Sequence, residues 1–141
     1  MKLRRLGVGA AILAALAWDG AGAQTAAAQA RVILQTSPLA GFQHYAGLAL
    51  FPLMAPGQPL VLAREADNPF DGRAVRVEWY GVQIGYAPRA DNVDLARLMD
   101  RGTAVAGRIL HLQPSRDPWK RVLMEIYALE PEPAQPHAPD P

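Results

Sequence analysis

READNPFDGRAV, Arg64 to Val75, joins the apolar run PLVLAR (59–64) to the alternating run AVRVEWY (74–80), and its reading decides the fold. Proline fixes φ, glycine admits φ above zero, and Asn or Asp side chains bond back to nearby backbone, so Asn68-Pro69 and Asp71-Gly72 turn the chain between two strands. Turning explains most of the motif. A plain connector does not need all of these residues, and the excess describes a loop stiff enough to hold Phe70 and Asp71 in place, as a binding site requires.

Working outward, Val75, Val77 and Trp79 fall on one face of AVRVEWY and Arg76, Glu78 and Tyr80 on the other. Period two makes this a half-buried strand. Gly81 turns the chain into VQIGYA (82–87), the expected hairpin partner, closed by Pro88; the alternation assigns Trp79 and Tyr86 to the core. RVILQT (31–36), TAVAGRILHL (103–112) and RVLMEIYAL (121–129) are further strands by their β-branched and apolar content. AGFQHYAGLALFPLM (40–54) carries two readings: Gly41 and Gly47 suit a strand end and a bend, whereas Leu48 to Met54 suits a short helical turn interrupted by Pro52. Asp91 or Asn92 can cap a helix with a Leu95, Leu98, Met99 stripe, and Gly102 ends it. Five to six short strands with one or two short helices form a mainly β, α+β chain, and a small antiparallel barrel removes the edges that an open sheet would expose.

The sequence has no cysteine, and His111 and His137 are isolated from any second ligand at metal spacing, so disulfides and a metal centre are excluded and no cofactor is expected. Lys2, Arg4 and Arg5 precede an apolar run from Leu6 to Trp18 and small residues at Ala21 and Ala23. That is the pattern of a secretory signal peptide over residues 1–23, with an alternative cleavage point after Ala30; an uncleaved anchor is the competing reading. Residues 24–30 read as a linker, and the proline-rich acidic stretch 130–141 as a disordered tail. The expected product is periplasmic or secreted, monomeric and without a transmembrane segment. The chain has a formal charge of +1; with Lys2, Arg4, Arg5 and Asp19 removed, 14 less three leaves 11 basic residues and 13 less one leaves 12 acidic ones. Near-neutrality argues against a large nucleic-acid footprint and permits a small one.

The order AGFQHYAG, a strand ending in Arg64-Glu65, DNPFDGRAVRV, VQIGYAPR and a capped helix resembles the HIRAN domain over roughly residues 31–129. The most specific part is READNPFDGRAV followed by IGYAPR. The resemblance implies an OB-like β-barrel and a non-catalytic module that recognises single-stranded DNA through its free 3′ end. A carboxylate and a backbone turn would meet the terminal hydroxyl, and aromatic rings would stack on the last bases. The ligand-binding residues implied here are Gln43, His44, Tyr45, Phe70, Asp71 and Arg89. Gln43 stands where an arginine meets DNA in the helicase-like relatives, His44 offers less stacking area than tyrosine, and Phe70 has no hydroxyl to donate.

Simpler roles stand beside these. Asp67, Asn68 and Asp71 also serve as turn formers, and His44 and Tyr45 serve equally as packing residues. SRDPWKR (115–121) interleaves Arg116, Lys120 and Arg121 with Trp119; it reads either as a phosphate-tracking patch with one stacking platform or as a hairpin loop with a solvated charge run, and the second is favoured. An envelope protein-, peptide- or glycan-interaction domain using the same groove is the alternative function, favoured by Gln43 and the near-neutral charge. A hydrolase pairing Asp67 with Asp71 is a third reading.

Overall fold

Trp79, Val77 and Val75 point inward from one strand face because successive Cβ atoms alternate across a pleat, and all three are buried. This strand, β3 (Ala74–Trp79), is paired on both sides in the computed structural model, which describes residues 30–131. The expected signal peptide, nearly all of the linker and the tail from residue 132 lie outside the described residues.

Tyr80 and Gly81 both adopt positive φ, 44° and 80°, the two-residue turn whose twist matches the strands it joins, and so β3 folds back as β4 (Val82–Tyr86). The remaining strands are β1 (Arg31–Pro38), β2 (Pro59–Glu65), β5 (Val105–Leu112) and β6 (Val122–Leu129). They form one six-stranded antiparallel sheet in the order β1-β6-β5-β2-β3-β4. The fold class is therefore the mainly β, OB-like arrangement expected, with one difference. No ladder joins the outer strands. Ala40, just beyond β1, forms a single bridge to Tyr86 at the end of β4, with 2.9 Å hydrogen bonds in both directions.

The ambiguous stretch 40–54 is helical: a 3-10 turn over Phe42–His44, α1 (Gly47–Leu50) and a second 3-10 turn over Phe51–Leu53. Phe42 is fully buried, and Gly47 packs so closely that a Cβ there would lie 2.2 Å from its ring. Tyr45, between these two packed positions, is 37% exposed. The predicted helix is α2 (Asn92–Asp100), which packs against β2 and β3. It buries Leu95 and ends at Gly102, φ 87°, where Gly102 N–H and Thr103 N–H donate to the carbonyls of Met99 and Leu98. At its start the expectation fails: Asp91 occupies the cap position but neither it nor Asn92 makes a side-chain cap bond. Asn92 is turned elsewhere, as described below.

The core is one cluster built from the inner faces of β2 to β6, including Leu60, Ile84, Ile109 and Met124, with Leu95 from α2 and Leu34 of β1 packed against it. Each such side chain contributes roughly 1.5–3 kcal/mol by leaving water. SRDPWKR forms the β5–β6 connection, where Asp117 accepts from the Trp119 N–H at 3.1 Å, as a hairpin loop requires.

Candidate functional site

The loop from Ala66 to Arg73 is built by side chains bonding to their own backbone. Asn68 Oδ1 accepts from the amides of Phe70 (2.9 Å) and Asp71 (3.2 Å), and Asp71 Oδ1 accepts from the amide of Arg73 (2.9 Å). These are two successive Asx-type turns, and Pro69 between them removes a freedom that would loosen both. The loop is also tied to its surroundings. Arg64, on β2, donates to the carbonyls of Gly72 (2.7 Å) and Ala74 (3.2 Å) while pairing with Asp100 of α2 at 2.9 Å.

Glu65 links this loop to the opposite strand. Its carboxylate accepts from Asn68 Nδ2 (2.9 Å), from the Tyr86 hydroxyl (2.9 Å) and from Arg76 (2.7 Å), and Arg76 also pairs with Glu78 at 2.8 Å. The bond from Asn68, with those from Tyr86 and Arg76, outweighs partial burial and lowers the Glu65 pKa from the usual 4.5. Burial raises the Tyr86 phenol above its usual 10.0, and the neighbouring Glu65 adds to the shift.

Between loop and strand lies a cleft of about 410 Å³ lined by Ala40, Tyr45, Asn68, Pro69, Phe70, Asp71, Ala74, Tyr86, Ala87 and Arg89. A volume of this order falls at the lower end of the range of small-ligand clefts. Tyr45 and Tyr86 meet edge to face, ring centroids 5.9 Å apart. Phe70 is 86% exposed at the rim, an apolar ring with no packing role that would account for it. Arg89 reaches across from the segment after β4, donating to the Phe70 carbonyl and standing 3.6 Å from Asp71 Oδ2.

Asp71 is about one-fifth exposed and takes two donors, Arg73 N–H on Oδ1 (2.9 Å) and Asn92 Nδ2 on Oδ2 (2.8 Å), with the Arg89 guanidinium standing 3.6 Å from Oδ2 as an ion pair. The Arg73 amide, ahead of Asn92 and the Arg89 charge, lowers its pKa from the usual 3.8, so it is ionised at neutral pH. An ionised carboxylate offers about four acceptor sites, which leaves room for a donor from a ligand.

Of the residues singled out from sequence, Tyr45, Phe70, Asp71 and Arg89 line this cleft; Gln43 and His44 do not. Those two are exposed on the preceding 3-10 turn and bond to each other at 3.2 Å. Tyr86 was assigned to the core, and this is corrected: the β-bulge between Val77 and Glu78 breaks the register on which that assignment rested, and the ring lies half-buried in the cleft wall. Glu65, Asn92 and Tyr86 were missed as site residues. Glu65 had a sequence signal, its place three residues before Asn68, and Tyr86 had one in the preceding Gly85. Among the described residues, no cluster of His, Cys, Asp or Glu is arranged to hold a metal ion.

An antiparallel sheet bridged at one point, with an acidic turn facing an aromatic wall across a cleft, defines a small barrel-like, OB-like β-fold. Residues 33–130 match the HIRAN domain, and the chain belongs to that family. It is similar to a crystal structure of a protein from Lactobacillus plantarum, 26% identical, TM-score 0.63, covering 72% of this chain and 98% of that one. It is also similar in fold to the HIRAN domain of human HLTF, 19% identical, TM-score 0.55, covering 71% and 80%. No curated protein matches the sequence.

Proposed function

We propose that this chain is a non-catalytic binding module that takes the 3′ end of a single-stranded nucleic acid in the cleft. The observation that carries the reading is the convergence of Tyr45, Phe70, Asp71 and Arg89 from three separate segments on one concave surface. In this reading Phe70 and Tyr45 offer faces to the last bases, and Asp71 accepts a hydrogen bond from the terminal hydroxyl. Because Asp71 is ionised, it accepts from a hydroxyl and repels a terminal phosphate. The turn held by Asn68 presents this arrangement preformed, which lowers the ordering cost of binding.

We further propose that residues 1–23 direct export, so that the ligand is met outside the cytoplasm; cell fractionation that recovers only unprocessed chain inside the cell would overturn this. An envelope peptide or glycan is the second ligand class, favoured by the scarcity of cations: Arg89 is the single basic residue in the lining, and it already faces Asp71.

The test is fluorescence titration with a labelled oligothymidine bearing either a 3′ hydroxyl or a 3′ phosphate. The free end should bind at least tenfold tighter. With one cation at the cleft, log affinity should fall against log salt with a slope of about −1 or shallower, since each single-strand phosphate neutralised contributes about −0.7. Equal affinity for both ends, or none for either, defeats end recognition.

A further inference from the structure

Asn92 is 1% exposed, at the first residue of α2, and does nothing for the helix it opens. Its Nδ2 donates instead to Asp71 Oδ2 at 2.8 Å, across 21 positions of sequence. Its Oδ1 is buried with no partner among the described residues. Burying an amide oxygen unpaired is unfavourable, so packing alone would be served better by an apolar residue of similar size. The orientation is also fixed, since the flipped amide would set its oxygen against an ionised carboxylate.

From this geometry we infer that Asn92 is the positioning residue of the cleft, locking the Asp71 carboxylate so that its remaining acceptor site faces the ligand. The inference rests on the functional reading above and deepens it. Without Asn92, the Oδ1 bond from the Arg73 amide remains, but Oδ2 keeps only Arg89, whose side chain is 71% exposed and whose contact is 3.6 Å. The carboxylate would then turn toward solvent and Arg89, and its open site would no longer be aimed.

The experiment compares the chain with Asn92→Ala and with the exchange Asp71→Asn/Asn92→Asp, which can keep the buried hydrogen bond while moving the charge. Thermal midpoint, the NMR titration of the Asp71 carboxyl carbon in the chains that retain it, and affinity for the 3′-hydroxyl oligothymidine are each read. Asn92→Ala removes a bond and an unpaired oxygen together, so its midpoint should stay within about 3 °C of the parent. The Asp71 titration should move up toward 3.8 and affinity should fall at least tenfold. The exchange places a carboxylate at a 1% exposed position with one oxygen unpaired, so it should fold with a lowered midpoint and lose the affinity.

An unmoved Asp71 titration in Asn92→Ala, whatever its midpoint, overturns the inference and assigns Asn92 to packing. An affinity maintained in the exchange overturns it as well, and if Asn92→Ala fails to fold, Asn92→Leu, which fills a similar volume without the amide, is read for the same Asp71 titration and affinity. Should the parent bind no oligothymidine, the functional reading falls, while the Asp71 titration still decides the role of Asn92.

Discussion

Phe70 separates binding from folding. Its ring is 86% exposed, so Phe70→Ala should leave stability within about 0.5 kcal/mol, as for most surface substitutions. If the ring stacks on a base, the same change should cost about 1–3 kcal/mol of oligonucleotide affinity, roughly fivefold to over a hundredfold. Parallel chemical denaturation and fluorescence titration check both halves, and an unchanged affinity removes Phe70 from the site. Glu65 behaves differently because it joins two walls. Replacing it with alanine would release the Tyr86 hydroxyl and Asn68 Nδ2 together, with the loop amides that depend on Asn68. Glu65→Ala should therefore lower stability and affinity together, and absorbance titration should show the Tyr86 phenol ionising at lower pH once the neighbouring charge is gone.

Among the elements, β4 is where closure of the sheet is decided. Gly85 lies beneath the Ala40 bridge, and a Cβ there would sit 2.4 Å from the Ala40 carbonyl oxygen and 2.9 Å from Leu39. The first of these is backbone and cannot rotate away. Gly85→Ala should cost about 1–3 kcal/mol as an overpacking change, measured by denaturation, and should weaken ligand binding because Ala40 and Tyr86 both line the cleft. A variant as stable as the parent would show that the bridge can move. These elements also show what sequence could disclose. Strand alternation and the turn residues after Glu65 placed β2, β3 and β4, the loop, and hence Phe70 and Asp71, because local chemistry determines them. Tyr86 escaped because a bulge changes which face a side chain takes; Gly85, inside VQIGYA and at the register shift, is the residue that could have signalled it. Asn92 escaped because its partner is distant in sequence; a polar residue opening a helix reads as a cap until the fold brings Asp71 beside it. Partial closure by one bridge is likewise a long-range outcome.

For the whole molecule, acid stability follows from the carboxylates of Glu65 and Asp71, both lowered in the folded state from 4.5 and 3.8. A depressed carboxylate contributes stability above its unfolded pKa and loses it as pH falls through the folded value, because the unfolded chain takes up the proton first. Denaturation midpoints should thus decline below about pH 4.5, and the Glu65→Gln/Asp71→Asn chain should decline less over that range. Tyr86 acts at the other end: its raised pKa contributes stability below 10.0 that is lost as pH rises through the folded value. Both ends trace to groups in or beside one cleft, so the molecule's pH limits report on its site. The most direct test of that site is amide chemical-shift mapping of the chain titrated with a 3′-hydroxyl oligothymidine. Shifts should concentrate at Tyr45, Phe70, Asp71, Tyr86 and Arg89 and vanish in Asp71→Ala; shifts centred on another face, or unaffected by that substitution, would contradict the account.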